Sequence, residues 1–132
     1  MDTPAVVFRA VTPLLRTRDL DASIAFYVDR LGFALRRRSD ADGWASLERD
    51  GIELMLAMPN AHAGDAEPGF TGSLYFRLDD AEAVDRLWAS LQGKARTCYP
   101  PETFPHGMRE FAVHDDNGYL LQFGAPAPGC AD

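Results

Sequence analysis

Apolar and polar residues alternate along much of this chain, and two stretches where the period lengthens predict helices. After Asp19, the residues Leu20, Ile24, Tyr27, Val28 and Leu31 fall at i, i+4, i+7, i+8 and i+11, one face of a helix. Thr17 or Asp19 caps its start and Gly32 ends it. After Asp80 the pattern returns with Val84, Leu87, Trp88 and Leu91, closed by Gly93. The alternating stretches predict strands over 8–16, 33–38, 44–48 and 52–58, then over 72–78, 94–99, 108–114 and 119–123. Asp42-Gly43 and Asp50-Gly51 supply hairpin turns, and Asp115-Asp116-Asn117-Gly118 joins the last two strands. Pro100, Pro101 and Pro105 predict a loop over 99–107.

The order strand, helix, three strands therefore occurs twice. Asp80 follows Asp19 by 61 positions, as Gly93 follows Gly32, a spacing that suggests duplication. The expected fold is α+β: two βαβββ modules in one domain, forming a curved mixed sheet with a concave cleft. Module one covers about 8–58, a linker 59–70, module two about 71–124 and a tail 125–132.

Strand parity divides the faces. Val11, Pro13, Leu15, Ala45, Leu47, Ile52, Leu54, Leu56, Leu74, Phe76, Leu78, Phe111, Val113, Leu121 and Phe123 share one parity and are expected to face the helices. The other parity mixes Leu14, Trp44, Met55, Tyr75 and Leu120 with Arg16, Glu48, Glu53, Arg77, Glu110 and Gln122. Apolar walls with a few placed polar groups describe a ligand pocket, and equally a subunit interface.

Composition narrows the partners. The 132 residues are 46% hydrophobic and 25% charged, ordinary for a folded domain that buries its own core. A net charge of −7 argues against nucleic acid and mildly favours a cationic ligand. No apolar run approaches the ~20 residues of a membrane span, and residues 1–9 do not read as a signal peptide. Cys98 and Cys130 form no disulfide framework or zinc spacing, so a reducing cytoplasm is expected.

Candidate chemistry sits on the mixed face and in the loops. Glu48, Glu53 and Glu110 could hold a cation, and Arg16 and Arg77 could neutralise them instead. Trp44, Phe70, Tyr75, Tyr99 and Phe104 could stack on flat rings. Met55, His106 and Gln122 complete the candidate ligand-binding set. Trp88 belongs to the core stripe. His62, His106 and His114 show no metal-ligand spacing, and Arg36-Arg37-Arg38 reads as a solvated face or a subunit contact. No nucleophile triad or phosphate-cradling glycine motif is present.

The run from Arg18-Asp19-Leu20-Asp21-Ala22-Ser23-Ile24-Ala25-Phe26-Tyr27 through Leu31-Gly32-Phe33 resembles the opening of vicinal oxygen chelate proteins, the glyoxalase, bleomycin-resistance and extradiol-dioxygenase superfamily. Met108-Arg109-Glu110-Phe111 leading to Asp115-Asp116-Asn117-Gly118 adds to the likeness, which covers about 11–124. Gly43-Trp44, the strand from Glu53 to Leu56, Arg77-Leu78-Asp79-Asp80 and Tyr99-Pro100 read most like the bleomycin-resistance branch.

The resemblance implies half-barrels whose pairing, often between subunits, encloses the site. It also implies four metal-ligand positions, occupied here by Thr12, Met55, Ser73 and Gln122. Family enzymes place His, Glu or Gln there. Hydroxyls and a thioether are poor donors for a catalytic divalent ion, and one amide does not make a site. His106 stands where antibiotic-binding relatives often carry Trp.

The expectation is a homodimeric, metal-free protein of the antibiotic-resistance type, without cofactor or catalytic residues, which sequesters a cationic aromatic small molecule such as an antibiotic. The alternatives are an enzyme of the same fold, metal-dependent or using Glu110 with His106 for acid–base chemistry, and a protein whose mixed face is only a dimer interface.

Overall fold

Asp19 and Asp80 open the two helices as the pattern predicts: both have extended backbone, and their carboxylates accept hydrogen bonds from the amides of Ala22 and Ala83. The computed structural model describes residues 5–59 and 73–129. The elements run β1 (Leu14–Arg16), α1 (Leu20–Ala25), β2 (Ala34–Ser39), β3 (Trp44–Arg49), β4 (Ile52–Ala57), β5 (Ser73–Arg77), α2 (Ala81–Leu91), β6 (Arg96–Thr103), β7 (Met108–His114) and β8 (Leu120–Pro126). The curved sheet takes the form of two four-stranded sheets with matching orders, β1-β4-β3-β2 and β5-β8-β7-β6. In each, the first strand runs parallel to the last and the remaining pairs are antiparallel. Two βαβββ modules are thus present. Among the described residues no helix is long and apolar enough to cross a membrane.

Five local expectations need correction. The first helix does not stay α-helical to Leu31: Phe26–Arg30 form a π-helical turn, entered where the Phe26 amide shares the carbonyls of Ala22 and Ser23. The strand expected over 8–16 is paired only from Leu14, because Pro13 has no N–H to donate to the ladder. Val11 is therefore exposed rather than core. Ile52, expected in the core, is 43% exposed beside the Asp50-Gly51 turn, where both residues have positive φ. Of the loop expected over 99–107, residues 99–103 instead continue β6 through Pro100 and Pro101, while 104–107 form the turn to β7. β6 is a sheet edge, and its register slips between Tyr99 and Glu102, so the prolines sit where ladder donors are not needed. β8 likewise runs three residues beyond Phe123, to Pro126.

One core joins the modules. Tyr27, Phe33, Phe76, Phe123, Phe111 and Trp88 form a continuous aromatic run with centroid spacings of 5.1–6.5 Å, crossing from module one to module two at Phe33–Phe76. Leu47, Leu54, Leu56, Val84, Val113 and Leu121 fill the space around it. Burying each such side chain contributes about 1.5–3 kcal/mol. Trp88 packs edge-on to Phe111, as its place on the helix stripe requires.

The turn after β7 fastens the modules with polar contacts. Tyr27 Oη donates to Asp115 Oδ2 at 2.7 Å, while Asp115 Oδ1 accepts from the amides of Asn117 and Tyr119. Ser23 Oγ lies 2.7 Å from Asp116 Oδ2, and the Arg16 amide donates to Tyr119 Oη at 3.0 Å. Asp115-Asp116-Asn117-Gly118 is therefore a structural clasp between the β7–β8 turn and α1.

Candidate functional site

The mixed face of the second sheet is built from two rows. Tyr75, Gln122, Ala112 and Tyr99 lie side by side across β5, β8, β7 and β6. The next row holds Arg77, Gly124, Glu110 and Glu102. Ala112 and Gly124 are the smallest residues of these rows, and they leave room for two tyrosines to lie over the sheet. A Cβ on Gly124 would stand 2.0 Å from Tyr75 Oη, so only glycine admits this phenol.

Glu110 is the focus of the face. Its residue is 7% exposed. Tyr75 Oη donates to Oε2 at 2.5 Å and Tyr99 Oη to Oε1 at 3.1 Å. Gln122 Nε2 donates to Tyr99 Oη at 3.1 Å, and Ser73 Oγ donates to Gln122 Oε1 at 2.9 Å. Ser73, Gln122, Tyr99, Glu110 and Tyr75 thus form one hydrogen-bonded chain ending on a carboxylate. Burial, then the hydrogen bond to Glu110 and its charge, push the Tyr75 phenol well above its ordinary range, against the opposing charge of Arg77. Tyr99 is raised too, mainly by burial, while its bond from Gln122 works the other way. Both phenols stay protonated donors.

The rim is aromatic. Phe104 meets Tyr99 edge-on at 5.7 Å and stacks with His106 at 5.7 Å and 19°. Phe104 and His106 sit in the β6–β7 turn, where the Gly107 amide donates to the Phe104 carbonyl. His106 Nε2 lies 3.7 Å from Glu110 Oε2, and its side chain is 57% exposed. The Arg77 guanidinium lies over the Tyr75 ring, 5.5 Å from its centroid.

The first sheet carries a smaller cluster. Thr12 Oγ1 donates to Glu53 Oε1 at 3.3 Å and Ser46 Oγ to Oε2 at 2.7 Å. Glu48 faces Glu53 directly across β3 and β4, but its carboxylate turns away to accept from the Gly51 amide at 2.8 Å. Like charges placed opposite one another repel, and this division of partners separates them. Glu48 is therefore a turn-capping residue rather than part of an acidic trio with Glu53 and Glu110. Arg16 reaches the Met58 carbonyl at 3.3 Å and Arg77 covers Tyr75, so each arginine has a partner other than those acids.

The sequence-predicted residues are thus divided. Tyr75, Arg77, Tyr99, Phe104, His106, Glu110 and Gln122 are gathered on module two. Trp44, Glu48, Glu53 and Met55 lie on module one. Phe70 falls outside the described residues. Ser46, Ala112 and Gly124 were not expected to matter. A glycine between Phe123 and Ala125 in an apolar strand is the signal that marks a close approach at Gly124.

The four metal-ligand positions implied by the resemblance do not fit a divalent ion. Thr12 is bonded to Glu53, Ser73 is bonded to the Gln122 carbonyl oxygen, and Met55 offers only sulfur. Among the described residues no group of three His, Cys, Asp or Glu side chains could hold a metal ion.

Residues 9–123 match the family described as the Glyoxalase/Bleomycin resistance protein/Dioxygenase superfamily. Among solved structures, the chain is similar to a glyoxalase/bleomycin resistance protein/dioxygenase from Nocardioides, with 26% identity and a TM-score of 0.79 over 96% of this chain and 89% of that one. A family enzyme of the same description from Burkholderia phytofirmans PsJN shares 20% identity and a TM-score of 0.75, over 87% and 96% of the two chains. A lactoylglutathione lyase from Agrobacterium tumefaciens shares 21% identity and a TM-score of 0.68, over 88% and 92%. At the last two identities the likeness is one of fold. A comparison with the curated proteins finds no match.

Proposed function

This chain belongs to the Glyoxalase/Bleomycin resistance protein/Dioxygenase superfamily, and on that premise we propose that it binds a flat, cationic small molecule without a metal and acts by sequestering it. The observation that carries this reading is Glu110. Its carboxylate is buried beneath an open aromatic rim and held in place by two phenols. Each phenol takes one lone pair of a different oxygen, and a carboxylate has about four acceptor sites. Capacity therefore remains for an N–H or a diffuse cation placed against Tyr99, Phe104 and His106. A charge–charge contact to a largely buried carboxylate is stronger than one in open water, and ring stacking adds about 0.5–1.5 kcal/mol per ring pair. Sequestration asks for no bond-making, so poor metal donors at Thr12, Met55 and Ser73 cost it nothing. We further propose that two copies pair, so that module one of each covers the Glu110 face of the other with Trp44, Glu53 and Met55.

A thermal-shift comparison tests the ligand. The probes are a planar acridinium-type dye, a neutral isostere of the same shape, and zinc, nickel and manganese salts. Binding to the folded state at a hundredfold excess over Kd stabilises by about 2.7 kcal/mol. The dye should raise Tm with chelator present, the isostere should do so less, and Glu110→Gln should abolish the difference. A shift with a metal and none with the dye would refute the proposal.

A second reading rests on the same carboxylate. Glu110 lies 2.5 Å from a phenol and 3.7 Å from an imidazole, a set able to pass a proton to a bound substrate. This reading makes the protein a metal-independent enzyme. Turnover that survives chelation and disappears in Glu110→Gln would favour it over sequestration.

A further inference from the structure

The duplicated modules are not closed alike. Where the β7–β8 turn meets α1, Tyr27 Oη and Ser23 Oγ donate to Asp115 and Asp116. The matching junction lies between the β3–β4 turn and α2. The 61-position spacing of the modules puts Trp88 at the equivalent of Tyr27 and Val84 at that of Ser23. Neither brings a hydroxyl to the turn, and Trp88 packs edge-on to Phe111. A groove of about 680 Å³ is open at this junction, a size ordinary for a small-molecule site.

The walls of the groove include Phe33, Ile52, Phe76, Leu87 and Phe123. Phe76 and Phe123 pair directly and have the parity that faces the helices, so the groove lies across the second sheet from Glu110. Arg49, Arg77 and Arg86 also line it, against Asp50 and Asp79. In a chain of net charge −7 that is a local excess of cations. The Arg77 guanidinium is turned to the Tyr75 ring. Arg49 gives Nε to Asp50 at 3.3 Å and a terminal nitrogen to the Leu31 carbonyl. A guanidinium has five N–H donors, so donors remain. Arg86 stands 3.9 Å from Glu82 in an exposed pair one helical turn away, a contact that holds it weakly.

We propose that this groove is a second binding site, for an aromatic organic monoanion. Arg86 and Arg49 hold its carboxylate or sulfonate, and its ring system lies against Phe33, Phe76 and Leu87. Guanidinium forks match such an oxyanion, and the apolar walls reward the rings. Asp50 already faces Arg49, and Asp79 stands to repel a second negative charge, so a monoanion suits the groove better than a phosphate dianion. This site and the Glu110 face lie on opposite sides of the sheet and take opposite charges, so the proposal does not rest on sequestration at Glu110.

The test is a fluorescence titration of the full chain with anilinonaphthalene sulfonate and with uncharged phenylnaphthylamine. The sulfonate should bind saturably and more tightly than the uncharged dye. Naphthoate should displace it and acetate should not, because acetate has the charge without the rings. Arg86→Gln should weaken the sulfonate about tenfold, equal to about 1.4 kcal/mol. It should leave the uncharged dye nearly unaffected, and Arg86→Lys should recover part of the loss. Arg86 is exposed on α2, so its replacement leaves the core intact. Ala83→Trp, which fills the groove, should exclude both dyes; if that variant does not fold, the two dyes in Arg86→Gln decide. Failure of the sulfonate to bind, or binding indifferent to Arg86→Gln or to a folded Ala83→Trp, would overturn the site. Equal losses of the two dyes in Arg86→Gln would overturn the anion. Loss of the sulfonate in Glu110→Gln would place it on the other face and overturn the site, whereas its retention there leaves this proposal standing whatever becomes of the reading of Glu110.

Discussion

The phenol of Tyr75 reaches Glu110, 2.5 Å away, by lying across the bare Cα of Gly124. Three strands meet in this contact: β5 supplies the donor, β7 the acceptor and β8 the gap between them. The close approach explains why a residue that weakens strands stands in the interior of one.

Gly124→Ala should therefore act through Tyr75. The new methyl would stand 2.0 Å from Tyr75 Oη, 2.8 Å from Cζ and 3.1 Å from Glu110 Cβ, so the ring must move and the phenol must leave the carboxylate. Overpacking of this kind costs about 1–3 kcal/mol. The denaturant midpoint should fall accordingly. In a Tyr75→Ala background the same substitution should cost far less, because the clash is gone. Equal costs in both backgrounds would show that Gly124 matters for some other reason.

Glu110→Gln removes the charge that helps hold both phenols protonated. Tyr75 is raised by burial, by its bond to Glu110 and by that charge, and Tyr99 by burial and the same charge. The neutral amide should lower both ionisations. The measurement is the growth of tyrosinate absorbance with pH in the folded protein, which should begin at lower pH in the variant. An unchanged titration would mean that burial alone sets these phenols.

Much of this arrangement could be read from residue order. The two modules, the helix caps at Asp19 and Asp80 and the turn glycines follow from periodicity, because each is a local preference repeated along the chain. The division of faces was legible too, since Phe111 and Glu110 fall on opposite parities. What failed depended on a single atom or a distant neighbour. Pro13 ends a strand whose alternation continues through Val11, because a missing N–H leaves no mark on hydropathy. Pro100 and Pro101 read as loop residues, yet an edge strand tolerates them at a bulge. Glu48, Glu53 and Glu110 looked alike in sequence; a turn amide, two hydroxyls and two phenols give them three different roles. Gly124 takes its meaning from Tyr75, far away in the chain.

Tyr27→Phe tests the clasp between modules. The substitution removes one oxygen and leaves the ring in the core beside Phe26 and Phe33. Asp115 Oδ2 then loses its 2.7 Å donor in a buried setting, while Oδ1 keeps two amides. A hydrogen bond to a charged group in such a place is worth about 1.5–3 kcal/mol. The loss should appear in chemical denaturation. Hydrogen exchange should also quicken at the amides of Asn117 and Tyr119, which Asp115 orients. A loss of stability without that local change would place the effect in core packing instead.

The same tyrosine predicts how the protein responds to alkali. Burial first, and then the charge and hydrogen bond of Asp115, drive the Tyr27 phenol far above its ordinary value near 10. In the unfolded chain that phenol ionises normally. Below about pH 10 both states hold the proton and the contribution of this group to stability is constant. Above it the unfolded chain releases a proton that the folded protein keeps, so stability falls with rising pH by about 1.4 kcal/mol per pH unit. Tyr27→Phe removes this group from the balance. Plotted against pH, the unfolding free energy of the variant should start lower and decline less steeply above about pH 10, so that the two curves converge. Parallel curves would mean that the Tyr27 phenol ionises as readily in the fold as outside it, and that Asp115 does not hold its proton.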